Sequence, residues 1–487
     1  MSLLPEVEAG MAVAQWPQFQ AILIEDINTL LINSTRIAGN ARILIHSNHV
    51  YCMMNEPLVT RLPDIAHGRE IFAVSPTTHD VDLTIKFPTL NLQFQIIYDP
   101  GSDSCLFVNQ STVVIRLFRP GIPYAPIAVK EKEERSIQPG IWSVFAAHPG
   151  SDSYDVFKFL LTERLFNVSI FDGLQIEPEC TTSSREIFHK AAVPLLDLKD
   201  GETAAVEALY NTGSETYRLQ RIKQLSCTRN TSVFSCQHSR IPKEQSVVKV
   251  LAYNGMSALA LPGIVGRWKT EKQLLGELKH RNIVSLEAFD GRMFALYLEP
   301  LPLSLDRGYH SNLTKDDAHT ILIDMSSALS YLSNMGIVHN DIKPGSIAYS
   351  TDRGAVLFDF DCACYLDKES NGGTACYLPP EYIENKDRGL PGDIWAMGVT
   401  MLYVLQKIGL PETLTKNWDF WNAHELLWVC EEENSAKSQL RQWMAYIADR
   451  RAELNRKDRV EDAVYQMLNG KRKLRAVAVS VIHSTEV

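Results

Sequence analysis

Two aspartates and a lysine stand close together in the last third of the chain. Asp341 and Lys343 lie in the run G-I-V-H-N-D-I-K-P-G-S-I that starts at Gly336, and Asp359 closes the run A-V-L-F-D that starts at Ala355. Each aspartate follows an apolar stretch, so each falls where a regular element gives way to a loop. Two carboxylates and one ammonium suit phosphoryl transfer, in which a protein mainly positions reactants and spreads charge. One carboxylate can orient an attacking hydroxyl, the other can hold Mg2+, and the lysine can neutralise the moving phosphate.

The elements that must position this group are legible around it. Ala318, Ile321, Met325, Ala328, Leu329 and Leu332 recur at spacings of three and four, which predicts a helix capped by Thr314 and stopped at Gly336. The turn signal Thr351 to Gly354 predicts a hairpin between the two loops. Together these bring both carboxylates and the lysine to one edge of a small sheet.

At this point the chain resembles the eukaryotic protein kinase family, in its serine/threonine form. His339, Asp341, Lys343 and Pro344 match the family's H-R-D-x-K-P-x-N, and Asp359 and Phe360 match its D-F-G. Gly373, Thr374, Tyr377, Pro380 and Glu381 then match G-T-x-x-Y-x-A-P-E, and Asp393, Trp395 and Gly398 match D-x-W-S-x-G. Asn340 stands in place of the arginine, Ser346 in place of the second-metal asparagine and Asp361 in place of the glycine. With Asn340 neutral, the usual cationic partner of an activation-loop phosphate is missing, so activity is expected not to depend on phosphorylation of that loop.

The resemblance extends upstream. S-V-V-K-V places Lys249 in a strand, and E-K-Q-L-L-G-E-L-K-H-R-N-I-V supplies Glu271 as its expected partner, aiming the ammonium at the ATP phosphates. In L-S-C-T-R-N-T-S-V-F, Ser226, Thr228 and Thr231 replace the three phosphate-loop glycines, while Val233 keeps the position that covers adenine. The resemblance implies a hinge at Leu298 to Leu301, with the Glu299 carbonyl and the Leu301 amide facing the base. It also implies a metal held by Asp359 with Ser346 and Asp361, and structural roles for His339, Asp393 and a Glu381 to Arg475 ion pair.

Composition sets the outer bounds. The 487 residues suggest roughly two to four domains, and 45% hydrophobic content fills real cores. A formal net charge of -10 disfavours non-specific nucleic-acid or anionic-membrane binding, which needs a basic face. Nine scattered cysteines do not form a secreted framework, and Cys362, Cys364 and Cys376 read as plain thiols. With no leader pattern and no bilayer-length apolar run, an intracellular chain is expected.

The expected order is an N-terminal extension over 1–33, an all-β sandwich over 34–172, a linker over 173–216 and a two-lobed α+β kinase-like domain over 217–487, its lobes meeting near 300. One short helix is predicted at Gln18 to Leu31 and another at Ala204 to Tyr210. Short strands such as Ile43 to His46, Leu92 to Tyr98 and Val156 to Leu161, broken by Pro-Gly turns, predict the sandwich. Residues 60–165 resemble a forkhead-associated domain, through Phe72 to Leu83, Asn109-Gln110-Ser111 and S-I-Q-P-G-I-W. The family's phosphate-binding G-R falls on Ser75 and Pro76 and its S-x-x-H is absent, so a protein partner met through other residues is expected. The chain as a whole reads as an ATP- and Mg2+- or Mn2+-dependent serine/threonine kinase acting on protein. The alternative is a pseudokinase scaffold whose β-domain selects partners.

Overall fold

The computed structural model describes residues 42–47, 53–54, 59–64, 69–74, 82–99, 104–119, 125–147, 154–162, 166–173, 194–208, 216–228, 231–252, 261–307, 313–368, 372–385, 388–418, 420 and 435–475. The helix expected at Gln18 to Leu31, together with Ser75 and Pro76, lies outside them. The chain divides into two compact units, Met1–Trp268 with Ala288–Tyr297, and Lys269–Glu287 with Leu298–Val487.

The first unit opens with twelve strands: β1 (Ile43–Ser47), β2 (Met53–Met54), β3 (Val59–Asp64), β4 (Arg69–Val74), β5 (Asp82–Phe87), β6 (Leu92–Tyr98), β7 (Cys105–Asn109), β8 (Val114–Phe118), β9 (Ile127–Val129), β10 (Glu134–Ile137), β11 (Gly140–Ala147) and β12 (Tyr154–Leu161). They form a 7-stranded sheet ordered β3-β4-β1-β12-β11-β8-β9 and a 5-stranded sheet ordered β10-β7-β6-β5-β2. Alternate residues turn inward to one core, where Phe87, Phe94, Phe107, Phe157 and Phe159 pack ring on ring at centroid distances of 5.4 to 6.5 Å. Asn109 is fully buried and donates to the carbonyls of Val113 and Val129 at 2.8 and 3.0 Å. Ser111 accepts from the Gln93 amide at 2.8 Å. These two side chains therefore clamp loops to strands.

A second sheet in the same unit has seven strands, ordered β13-β14-β15-β16-β17-β19-β18. They are β13 (Phe166–Asp172), β14 (Glu202–Ala208), β15 (Tyr217–Cys227), β16 (Thr231–His238), β17 (Ser246–Leu251), β18 (Leu286–Asp290) and β19 (Ala295–Leu298). The described part of the helix predicted at Ala204 to Tyr210, Ala204 to Ala208, is strand instead. Its alanines are good helix formers, but β14 pairs with β13 on one side and β15 on the other, burying Ala204, Ala205 and Val206. Phe166 of β13 is held from the far end of the sheet: the Arg292 guanidinium lies 5.1 Å from its ring and forms a buried ion pair with Asp290 at 2.8 Å.

The second unit is mainly helical. It contains the C-terminal half of α1 (Leu261–Glu277), then α2 (Lys315–Asn334), β20 (Ile337–Val338), the hairpin β21 (Ile347–Ser350) and β22 (Gly354–Leu357), and β23 (Cys364–Tyr365). There follow α3 (Pro380–Asn385), α4 (Gly389–Val404), α5 (Pro411–Leu414), α6 (Ser435–Ala452) and α7 (Arg459–Met467). Thr314 caps α2 in a reciprocal box with Asp317. The apolar stripe of α2 packs with α4 and β22 in one core, and Gly336 follows at φ 68°. Helix α4 starts at Gly389, with Pro391 tolerated in its first turn. Among the described residues, no helix is long and apolar enough to cross a membrane.

Candidate active site

The loop after β20 is pinned from below. The Asp393 carboxylate accepts the amides of His339 and Asn340 at 2.7 and 2.8 Å, and the His339 ring accepts the Asp341 amide at 3.3 Å. Asn340 takes φ 65°, a left-handed conformation that asparagine tolerates better than most residues. The chain is thereby turned so that Asp341 faces Lys343 and Thr374.

These three side chains form one closed group. Lys343 Nζ donates to Asp341 Oδ2 at 2.6 Å and to Thr374 Oγ1 at 2.9 Å. Thr374 gives its amide and its hydroxyl to Asp341 Oδ1, at 2.8 and 2.7 Å. Burial alone would raise the Asp341 carboxyl, but the Lys343 ammonium and the Thr374 hydroxyl outweigh it and hold the group below its usual range. Oδ1 thus receives two donors and Oδ2 one, which leaves acceptor capacity at Oδ2, beside the ammonium.

Ser346 serves the loop itself. Its hydroxyl accepts the Lys343 amide at 3.0 Å, lies 3.0 Å from the carbonyls of Asp341 and Lys343, and is fully buried. The carboxylates that do converge are those of Asp359, Asp361 and Glu271, whose oxygens lie within 4.8 Å of one another. Three hard oxygen donors of this kind suit Mg2+ or Mn2+. Asp359 holds the left-handed conformation, φ 66°, while Asp361 sits in a short 3-10 turn over Phe360–Cys362. The glycine-like backbone expected of Asp361 therefore falls on Asp359. Grouping Glu271 with these aspartates was not foreseen, since the sequence offered Lys249 as its partner.

The remaining residues are placed as follows. Lys249 is buried on β17 directly across from Val233 on β16. The turn between β15 and β16 closes with the Thr228 amide donating to the Thr231 carbonyl at 2.8 Å. Glu299 exchanges bonds with Ser285, its amide donating to the Ser285 carbonyl and its carboxylate accepting the Ser285 amide, while Leu301 packs on the core of the second unit. Arg475 donates to both Glu381 oxygens at 2.8 Å. Burial pushes the Cys362 thiol up to about 12, so it is not poised as a nucleophile.

Two contacts were missed from sequence. The Tyr365 hydroxyl donates to Glu277 at 2.7 Å and accepts from Gln273 at 3.2 Å, tying β23 to the helix that carries Glu271. Arg388 donates to the carbonyls of Gly372 and Asn340 at 2.7 and 3.3 Å. Both lie between recognisable motifs, where residue type alone carries no positional signal.

Two buried histidines make stability depend on pH. His339 Nε2 faces the Phe358 carbonyl at 3.2 Å, which only accepts, so that nitrogen carries the proton. Burial pushes its pKa down to about 4, against the pull of Asp341 and Asp359. In the first unit His238 stacks on Tyr217 at 4.5 Å, and burial likewise pushes it to about 4 against Asp290. A ring with an ordinary value of 6.5 binds protons better when unfolded, so its contribution is complete above pH 6.5 and is lost as pH falls toward 4. Between pH 6.5 and 5, wild-type protein is expected to lose about 1.5 kcal/mol relative to His238→Phe. Paired denaturation curves at the two pH values measure this; a constant difference would contradict it.

The protein kinase domain family matches residues 223–485, just over half of the 487-residue chain, and the chain belongs to that family. Human calcium/calmodulin-dependent protein kinase type 1B is 32% identical over 183 residues, covering 34% of this chain and 51% of that protein. Mouse Aurora kinase C is 28% identical over 177 residues, covering 35% and 63%. Cysteine-rich receptor-like protein kinase 45 of Arabidopsis thaliana is 29% identical over 163 residues, covering 28% and 46%. The chain thus spans about half the length of these relatives. Membership of the family implies ATP and a divalent metal as cofactors.

Proposed function

We propose that this chain is an active serine/threonine protein kinase that transfers the ATP γ-phosphate to protein hydroxyls. The observation that carries the proposal is the closed Asp341, Lys343 and Thr374 group, in which the one carboxylate oxygen with spare acceptor capacity lies beside an ammonium. A substrate hydroxyl seated at Oδ2 would be oriented by Asp341, while Lys343 screens the charge of the transferred group. Thr374 keeps the carboxylate turned toward both. The family pattern gives Lys249 the role of nucleotide-phosphate ligand, Val233 that of covering the base, and the Glu299 carbonyl and Leu301 amide that of reading its edge.

Asp359 and Asp361 would hold the divalent ion, with Glu271 completing the oxygen set. The bound metal supplies neutralisation of phosphate charge that side chains alone do not. Ser346 is committed to the loop, so the extra carboxylate of Asp361 compensates for the missing asparagine. Asp361→Gly is expected to weaken Mg2+ dependence severalfold without unfolding the protein, measured as the Mg2+ concentration needed for half of the ATP-induced rise in melting temperature. Unchanged or tighter Mg2+ use would remove this role.

A second reading, a pseudokinase scaffold, is favoured by one feature. Ser226, Thr228 and Thr231 put side chains where glycines let backbone amides close on phosphates. The retained groups are those that perform the chemistry, while the lost ones tune affinity, and that asymmetry favours the enzyme. In either reading the β-sandwich is the module that meets a protein partner.

A further inference from the structure

Arg388 is the N-cap of α4 and is buried, an expensive position for a guanidinium. Its Nη1 donates at 2.7 Å to the carbonyl of Gly372, two residues before Thr374, and at 3.3 Å to the carbonyl of Asn340, one residue before Asp341. Its guanidinium also lies 5.4 Å from the Tyr382 ring, on the helix that follows the segment. One cation therefore holds the segment that delivers Thr374 against the loop that delivers Asp341.

The approach between those segments is tight. Gly373 has φ +111°, and a Cβ there would fall 2.5 Å from the Asn340 carbonyl and 2.7 Å from Arg388 Nη1. Position 340 is a neutral asparagine whose side chain donates to the Cys362 carbonyl and to the Cys364 sulfur, at 3.2 and 3.3 Å. Both carbonyls at the contact are acceptors, so apposing them requires a shared donor. Arg388 is that donor.

We propose that Arg388 is a positioning residue: it latches the segment ending at Thr374 onto the catalytic loop, so that the Asp341 group assembles without a phosphate on the segment. This rests on the kinase reading above only for its effect on turnover; the latch itself is a statement about backbone geometry. Removing the guanidinium takes one donor from the Gly372 carbonyl and loosens the hold of the Thr374 amide on Asp341 Oδ1.

The test uses phosphatase-treated full-length protein with Arg388→Gln and Arg388→Lys. Hydrogen exchange over 372–376 reads the latch directly, because the Thr374 amide is protected by Asp341. Arg388→Gln is expected to raise exchange there at least tenfold while exchange in α2 stays unchanged, and Arg388→Lys is expected to recover part of the protection. In γ-phosphate transfer, kcat should fall at least tenfold in Arg388→Gln with the KM for ATP within twofold of wild type. Unchanged exchange over 372–376 in a folded Arg388→Gln, or an equal rise in exchange across the whole second unit in both variants, would overturn the latch. If wild type transfers no phosphate yet exchange rises locally as described, the latch stands and the kinase reading fails.

Discussion

Asp341→Asn is expected to lower γ-phosphate transfer by about 10^2- to 10^4-fold while leaving the fold and nucleotide binding intact. The amide is isosteric and keeps one carbonyl oxygen for the Thr374 amide and hydroxyl, which now reach Asp341 Oδ1 at 2.8 and 2.7 Å. Its NH2 then faces Lys343 Nζ, which donates to Oδ2 at 2.6 Å, so two donors meet where a donor met an acceptor. The spare acceptor site for a substrate hydroxyl disappears at the same time. The loss should therefore fall on kcat, with the KM for ATP little changed. A parallel loss of the ATP-induced melting shift would mean that Asp341 acts through nucleotide binding instead.

Arg475→Ala is expected to cost about 3–5 kcal/mol of stability, the usual penalty for breaking a buried ion pair from one side. Arg475 donates to both Glu381 oxygens at 2.8 Å, to the Pro391 carbonyl at 2.6 Å and to the Asn469 carbonyl at 3.2 Å. Its guanidinium lies 5.3 Å from the Trp395 ring. Four hydrogen bonds and a ring contact thus join α3, the start of α4 and the segment after α7. Arg475→Lys should recover only part, because an ammonium cannot make the two-pronged contact with Glu381. Urea denaturation followed by fluorescence measures both variants, and a loss below about 1 kcal/mol in Arg475→Ala would show that the pair is not structural.

What was legible in the sequence was whatever rests on local pattern. Helix α2 declared itself through its apolar stripe and Thr314, and the β21 to β22 hairpin through the turn at Thr351 to Gly354. The sandwich strands were legible as short apolar or alternating runs broken by turns, from the fully buried β7 to the alternating β6. Ala204 to Tyr210 misled because alanine and glutamate favour helix locally, whereas the neighbours that make β14 a strand, β13 and β15, are set by long-range pairing. The motifs marked Asp341, Lys343 and Thr374 as residues but not the bonds among them. Asp359, not Asp361, takes the left-handed backbone because the following three residues wind into a 3-10 turn. Arg388 and Tyr365 went unseen because their partners are backbone carbonyls and side chains remote in sequence, which residue type does not announce.

The central claim is that the group around Asp341 transfers phosphate despite the lost glycines. It is tested most directly by incubating the purified full-length chain with labelled ATP and Mg2+ or Mn2+, together with a generic basic protein, beside Asp341→Asn and Lys249→Met. The account predicts label on the chain or on the added protein in wild type and none above background in either variant. No transfer by wild type with either metal, while ATP still raises its melting temperature, would contradict the account and leave a nucleotide-binding scaffold.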